Sequence, residues 1–357
     1  MSKNHPSESS PLYSLHAPWD HNKNAIWLAS TVRLCRNIEK FKFPQKLELE
    51  KKSHILQLTS KAVLQAAELA KPYILNANEI TPAEKEFLIE HFLLFEGFQE
   101  AGSGSAFGLD ESGETIILFN IKEHLQIQVT DCLGDIEQAW AKAALLESKL
   151  GAEIAFAFSP TFGFLTADPQ HCGTGLIVSA FLHLPALIHQ HLLSEHLDKE
   201  IAEGIISSGI QGSPDELVGD IVMLRNIHTI GLTEENIIST VRNAILRLVV
   251  AEKDARALIK ASEDIHFKDL ICRAIGLIKH SYRLEAQEAL NALSLLKLGI
   301  ELGWIKGMSV EQINQLFFDS RRSHLTYLLS KDKSGADIAV WRAEYLREKA
   351  AKLKFGL

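Results

Sequence analysis

The chain has 357 residues, 46% of them hydrophobic and 23% charged, which is enough apolar material for two ordinary domains. A formal net charge of -8 argues against general binding to nucleic acid or to anionic membranes, and no basic stripe interleaved with aromatics changes that expectation. Four scattered cysteines without a CxxC pair indicate neither a zinc ribbon nor a disulfide framework, and no uncharged apolar run reaches bilayer length, so a cytoplasmic protein is expected.

Residues 1–24 are polar and rich in Pro and Ser, and read as a flexible leader. Helices are predicted over Lys46–Lys71 and over Pro82–Leu94, the second with Thr81 as N-cap. The turn signal Asp110-Glu111-Ser112-Gly113 between two apolar runs predicts a hairpin. Ile116–Phe119 and Leu125–Val129 follow as strands, and Asp135–Leu150 returns to helical period. Ala155–Phe158 and Gly163–Ala167 read as short strands around a Ser-Pro turn. Leu176–Leu193 reads as a helix with an apolar face, and the histidine cluster His183, His189, His191 and His196, read as sharing one helix, is spaced too loosely for a metal site. Leu217–Leu224 is a strand, and Thr233–Leu258 a long helix capped by Thr233, with Glu234 and Glu235 in its first turn. From Phe267 onward the pattern is helical. Strands linked to their neighbours without single intervening helices favour an α+β fold over a doubly wound sheet.

Five segments carry a family resemblance. Ile26–Asn37, followed by Phe43-Pro44, resembles S-S-R-I-R-L-A-R-N with F-P beyond it. Asn120–Gln128 resembles N-E-E-D-H-L-R-I-Q, and Leu165–Leu176, continuing to His183–Leu187, resembles L-T-A-C-P-T-N-x-G-T-G-L-R-A-S-V-x-x-H-L-P-A-L. Asn226–Glu235 is similar to N-Q-x-T-L-G-x-S-E-E, and Lys297–Ile305 to R-L-G-I-D-L-G-x-I. Together, in order and in register, they resemble the bacterial protein-arginine kinases of the ATP:guanido phosphotransferase family. The resemblance implies an antiparallel sheet flanked by helices over residues 25–255, then an all-helical C-terminal domain over residues 256–357 that dimerises. It also implies ATP and Mg²⁺ as cofactors if the chain is active. The partners it implies are a zinc-binding adaptor and a chaperone-protease system.

Phosphoryl transfer needs cations around the phosphates and a carboxylate that orients and deprotonates the guanidinium. The resemblance assigns Ser30, Arg33, His91, Gln126, Gly173, Thr174, Gly175, Ile177 and Ser208 to the family's ATP-binding positions. At the arginine positions among these segments only Arg33 is still arginine. Thr31, Gln126, Ile177 and Ser208 stand at the others. Lys122 occupies the place of the catalytic glutamate, with Glu123 adjacent, and no catalytic residue is retained. One phosphate arginine is worth roughly 10³–10⁵ in rate and a general base roughly 10²–10⁴. A chain lacking most of them is expected to be impaired or inactive and to act by binding, the alternative being an active kinase with rebuilt contacts.

Other readings stay open at this point. Arg33 and Arg36 are either a residual nucleotide site or strand-edge charges paired with carboxylates. Gly173-Thr174-Gly175 is either a phosphate cradle or a tight turn that lets the following helix pack closely. His91 matches a family histidine near the nucleotide, or is a buried structural histidine. Cys35 and Cys172 read as small core residues, and Asp168 as a metal ligand only in principle. The family's phosphoarginine-binding R-D-x-x-R-A pattern falls on 338–343, where Arg342-Ala343 persists and Ile338-Ala339 replaces Arg-Asp.

Overall fold

The computed structural model describes residues 10–19, 24–94, 101–210, 212–213, 216–329 and 337–356. In chain order the first half runs β1 (Trp27–Arg36), α1 (Leu49–Gln65), β2 (Tyr73–Asn76), α2 (Pro82–His91), β3 (Ala106–Leu109), β4 (Thr115–Phe119), β5 (Leu125–Asp131) and α3 (Ile136–Glu153). The middle holds β6 (Phe158–Ser159), β7 (Gly163–Phe164), β8 (Leu176–His183), α4 (Pro185–His189), α5 (Leu193–Ala202), β9 (Ile205–Gly209) and β10 (Ile221–Asn226). Then come α6 (Glu234–Ala261), α7 (Ile265–His280), α8 (Ala286–Glu301), β11 (Ile305–Lys306), α9 (Val310–Asp319), α10 (Arg322–Leu329), α11 (Ile338–Lys349) and β12 (Lys354–Phe355).

Eight strands form one antiparallel sheet in the order β2-β3-β4-β5-β1-β8-β10-β9. The first motif of the sequence is therefore the central strand, flanked by β5 and β8. Arg33 and Arg36 are not strand-edge charges. Alternation along the central strands sorts the two faces. Val32 and Leu34, Ile127 and Val129, Leu176, Val178 and Ala180 join the large apolar core on the side covered by α3 and α6. Thr31, Arg33 and Cys35, Gln126 and Gln128, Ile177 and Ser179 point to the other face. That second face carries the candidate site.

Local chemistry fixes several boundaries. Thr81 and Glu84 form a reciprocal capping box at the start of α2, and Asp135 and Thr233 cap α3 and α6 through the backbone N–H of Gln138 and Asn236. The Asp110–Gly113 turn closes the β3–β4 hairpin, with Gly113 at φ +71° and the Ser112 hydroxyl donating to Asp110 at 2.6 Å.

Three expectations are corrected. Leu176–Leu193 is not one helix. Its first half is β8, buried on both faces, and such a strand reads as an unbroken apolar run that periodicity does not separate from a buried helix. The switch comes at Pro185, which opens the short α4. The four histidines consequently sit in different elements: His183 ends β8, His189 lies in α4, His191 in the turn after it, and His196 in α5. Finally, residues 10–19 of the expected leader are packed, with Leu12 and Trp19 buried and Trp19 stacked 3.9 Å from Phe318, because a tryptophan's large apolar surface outweighs the polar composition around it. Residues 1–9 and 20–23 of that leader lie outside the described residues. Among the described residues no helix is long and apolar enough to cross a membrane.

Candidate functional site

A cleft of about 210 Å³ opens over the centre of the sheet, lined from β1 by Thr31, Arg33 and Cys35, from β5 by Gln126, from β8 by Ile177 and Ser179, and from β10 by Arg225. The loop before β5 adds Lys122 and Glu123, and the segment before β8 adds Ala167, Asp168 and His171. Strand register explains the convergence. Arg33 lies opposite Gln128 on one side and Ile177 on the other, while Thr31 lies opposite Ser179, which in turn lies opposite Arg225. Residues paired across an antiparallel ladder share a face, so these side chains form one wall.

Four of the five arginine positions named from the sequence meet in this cleft: Thr31, Arg33, Gln126 and Ile177. Ser208 shares the face, through its pairing with Met223, but lies out on the edge strand β9 and does not line the cleft. Arg33 donates from Nε at 2.9 Å and from Nη2 at 2.6 Å to Gln128 Oε1, and Gln128 donates in turn to the Phe92 carbonyl at 2.7 Å. Ile177 supplies only hydrocarbon.

Arg36 faces the opposite side and is consumed by structure. It is 2% exposed, pairs with Glu147 at 2.7 Å, donates to the Cys35 and Thr174 carbonyls at 2.8 and 2.9 Å, and lies 3.6 Å over the Phe164 ring. Ser30 also faces away from the cleft and accepts from the Trp27 indole at 2.8 Å.

Glu123 is buried at the cleft wall. Its carboxylate accepts from Asn37 Nδ2 at 2.5 Å and from the Ala167 N–H at 2.9 and 3.0 Å. Burial raises its pKa, and the nearby Asp168 charge adds to this, against the lowering effect of those hydrogen bonds and of Lys122. Cys35 is pushed up to about 12, chiefly by burial and then by Glu123, so it stays a thiol. The rest of this motif is scaffold. Asn120 donates to the Lys52 and Gly104 carbonyls at 2.8 and 2.9 Å, and His124 accepts at Nδ1 from the Ile38 N–H at 2.9 Å.

Gly173-Thr174-Gly175 leads into strand β8, not into a helix, so neither the cradle at a helix start nor the helix-packing turn describes it. The Gly173 and Thr174 N–H groups donate to the Phe164 and Thr229 carbonyls at 3.1 and 3.2 Å. Gly173 has φ +102°, and a Cβ there would sit 2.3 Å from the Thr229 oxygen. Close backbone packing accounts for this triplet.

His91 does not line the cleft. It is buried among Trp19, Phe87, Phe92 and His324, with Nε2 3.1 Å from the Gly113 carbonyl, and burial lowers its pKa to about 4. Arg342 is also buried, donating to the Ser320 and Leu284 carbonyls at 2.7 and 2.9 Å, and burial lowers its pKa. Asp337 caps α11 and pairs with Arg283 at 2.7 Å.

The residues present do not fit Mg·ATP as the resemblance implies. Thr31, Gln126 and Ile177 stand where arginines are implied, Glu123 is held by Asn37 and the Ala167 N–H, and Asp168 accepts from the Gln170 N–H at 3.0 Å. Among the described residues no group of three or more His, Cys, Asp and Glu side chains is placed to hold a metal ion. Among the cleft residues that the sequence reading missed are Ser179 and Arg225. For Arg225 a signal existed: it is the sole charge in the apolar run Ile221–Leu224 plus one, and strand alternation sets it on the face of Met223.

Comparison with known proteins agrees with the fold. Residues 54–255 match the family model for the ATP:guanido phosphotransferase C-terminal catalytic domain, and residues 264–355 match that of the protein-arginine kinase McsB C-terminal domain. The chain is 36% identical over 333 residues to a protein-arginine kinase of Chlamydia pneumoniae, covering 91% of this chain and 92% of the relative. It is 30% identical over 322 residues to that of Halothermothrix orenii, covering 90% and 92%. Among solved structures, lombricine kinase superposes with a TM-score of 0.57 at 17% identity, covering 71% of this chain and 74% of that one. The duplicated taurocyamine kinase from Schistosoma mansoni gives 0.56 at 23% identity, over 70% of this chain and 36% of that one.

Proposed function

Because the chain belongs to the ATP:guanido phosphotransferase family, in its protein-arginine kinase branch, we propose that it keeps the fold of these kinases while having lost their phosphoryl transfer, and acts by binding. The observation that carries this reading is the wall of the cleft. Thr31, Gln126 and Ile177 line it at family arginine positions, and Lys122 lines it at the position of the family glutamate. Transfer depends on charge neutralisation at the phosphoryl oxygens and on a base at the guanidinium, and neither set is complete here. A lysine at the base position brings like charge toward the incoming guanidinium, which opposes binding as well as deprotonation.

A second reading, an active kinase with rebuilt contacts, draws on the presence of Glu123 and Arg225 in the same cleft. The two readings separate in a repair series combining Lys122→Glu, Gln126→Arg and Ile177→Arg. On the first reading the starting protein forms no phosphoarginine from Mg·ATP, and the combined variant gains transfer. A starting protein that already transfers, and loses rate on repair, sinks the first reading in favour of the second.

As part of the same proposal, the chain forms a homodimer through its helical C-terminal region and serves a quality-control partner of the adaptor or chaperone-protease kind. The family resemblance supports this extension. Light scattering of the purified protein tests the dimer, and a monomer at micromolar concentration counts against it.

A further inference from the structure

Arg225 lies one residue from the end of β10 and lines the cleft, and none of the family motifs includes it. Its Nε is buried and makes no hydrogen bond, and among the described residues it forms no ion pair. That nitrogen has given up water without gaining an acceptor, a state that ordinarily costs stability, while the side chain as a whole stays partly exposed toward the cleft. Its neighbours are set by register. Ser179 lies directly across from it and Thr31 directly across from Ser179, so two hydroxyl side chains continue its row over three strands. Ile177 stands two residues before Ser179 on the same face. Arg225 is thus one strand and one pleat away from the position where the family carries an arginine, and an extended guanidinium covers the same floor.

The charges of the cleft are Arg33, Arg225 and Lys122 against Glu123 and Asp168. Both carboxylates have other engagements, Glu123 with Asn37 and Ala167 and Asp168 with the Gln170 N–H. What the corner lacks is an acceptor with several oxygens that a planar fork can grip.

We propose that Arg225, with Ser179 and Thr31 beside it and Arg33 across Ile177, binds a phosphoryl dianion in this cleft without a metal ion. The dianion is either free orthophosphate or the terminal phosphate of a nucleotide. The proposal deepens the reading above, naming the ligand chemistry of a cleft that no longer transfers phosphate.

Calorimetric titration with orthophosphate and, separately, with ADP, both in EDTA at low ionic strength, tests it on the full chain. The wild type is expected to bind at least one of them. Orthophosphate binding as tight as ADP binding identifies the free ion as the source, and binding of ADP alone identifies the nucleotide. Arg225→Gln is expected to weaken binding by roughly 10- to 100-fold, the worth of a charge-assisted hydrogen bond, with Arg225→Lys in between. Ser179→Val crowds the same corner without touching the arginine and is expected to weaken binding too, so the test survives a variant that fails to fold. No heat from either ligand, or equal affinity in wild type and Arg225→Gln, overturns the proposal. Absence of both anion binding and transfer leaves the reading of lost catalysis standing and removes only this inference. Phosphoarginine formation unaffected by Arg225→Gln overturns both.

Discussion

Replacing Arg36 by Met distinguishes a structural arginine from a phosphate-binding one. The side chain is 2% exposed and holds three elements at once: Glu147 on α3 at 2.7 Å, the Cys35 carbonyl on β1, and the Thr174 carbonyl in the turn before β8. Methionine keeps most of the aliphatic stem against Phe164 and removes the charge. Hydrogen bonds to a charged group are worth about 1.5–3 kcal/mol each, the cation–π contact about 0.5–2, and these terms overlap because they share one group. Breaking a buried pair from one side costs about 3–5 kcal/mol, since the partner stays desolvated, and Glu147 is itself only 18% exposed. A loss of about 3–5 kcal/mol is therefore expected in urea unfolding followed by tryptophan fluorescence. Adding Glu147→Gln to Arg36→Met is expected to recover about 1 kcal/mol, because it removes the stranded charge. Anion affinity of the folded Arg36→Met protein is expected to be unchanged. A loss under about 1 kcal/mol, together with weakened phosphate binding, refutes the structural assignment.

Three further outcomes follow from the same contacts. His91 is pulled from its ordinary 6.5 to about 4 by burial, so between those values the unfolded chain holds a proton that the folded one refuses. The His91 contribution is complete above 6.5 and falls as pH drops toward 4, by up to about 3 kcal/mol. His91→Leu makes urea midpoints fall less steeply across that window, the rest of the slope coming from His124, His183 and His324, whose pKa values burial also lowers. Gly173→Ala, with its new Cβ 2.3 Å from the Thr229 oxygen, is expected to cost about 2 kcal/mol or more and to lower the thermal midpoint. Arg342→Met strands the Ser320 and Leu284 carbonyls and is expected to cost about 2–4 kcal/mol, whereas free phosphoarginine added to the wild type produces no thermal shift that this substitution removes.

Much of the fold could be read from residues acting locally. The caps at Thr81 and Thr233 and the Asp110–Gly113 turn are short-range devices, and the structure forms them where the sequence marks them. The polar–apolar alternation of Leu125–Thr130 likewise shows which way each side chain of β5 points. Beyond local devices the reading fails for physical reasons. β8 is covered on both faces, so its alternation vanishes and a strand resembles a helix. β2 and β9, the edge strands, are short segments whose pairing depends on partners far away in sequence. For the site, the resemblance located Thr31, Arg33, Gln126 and Ile177, which register does bring together. It also assigned Ser30, His91 and Ser208, which the same register and the packing of α2 set outside the cleft. The lone charge of Arg225 beside an apolar run was legible, but its place in the cleft followed only from β10 lying beside β8, where it faces Ser179, 46 residues away in sequence.

The central claim, a kinase fold without kinase chemistry, is tested most directly by incubating the full-length wild type with Mg·ATP labelled at the γ-phosphate and an arginine-rich unfolded protein, and counting acid-labile phosphoarginine. The expected result is incorporation no greater than that of the Arg33→Ala protein. Sustained turnover by the wild type that Arg33→Ala abolishes contradicts the claim, and would mean that Arg33, Arg225 and Glu123 complete a working site of their own.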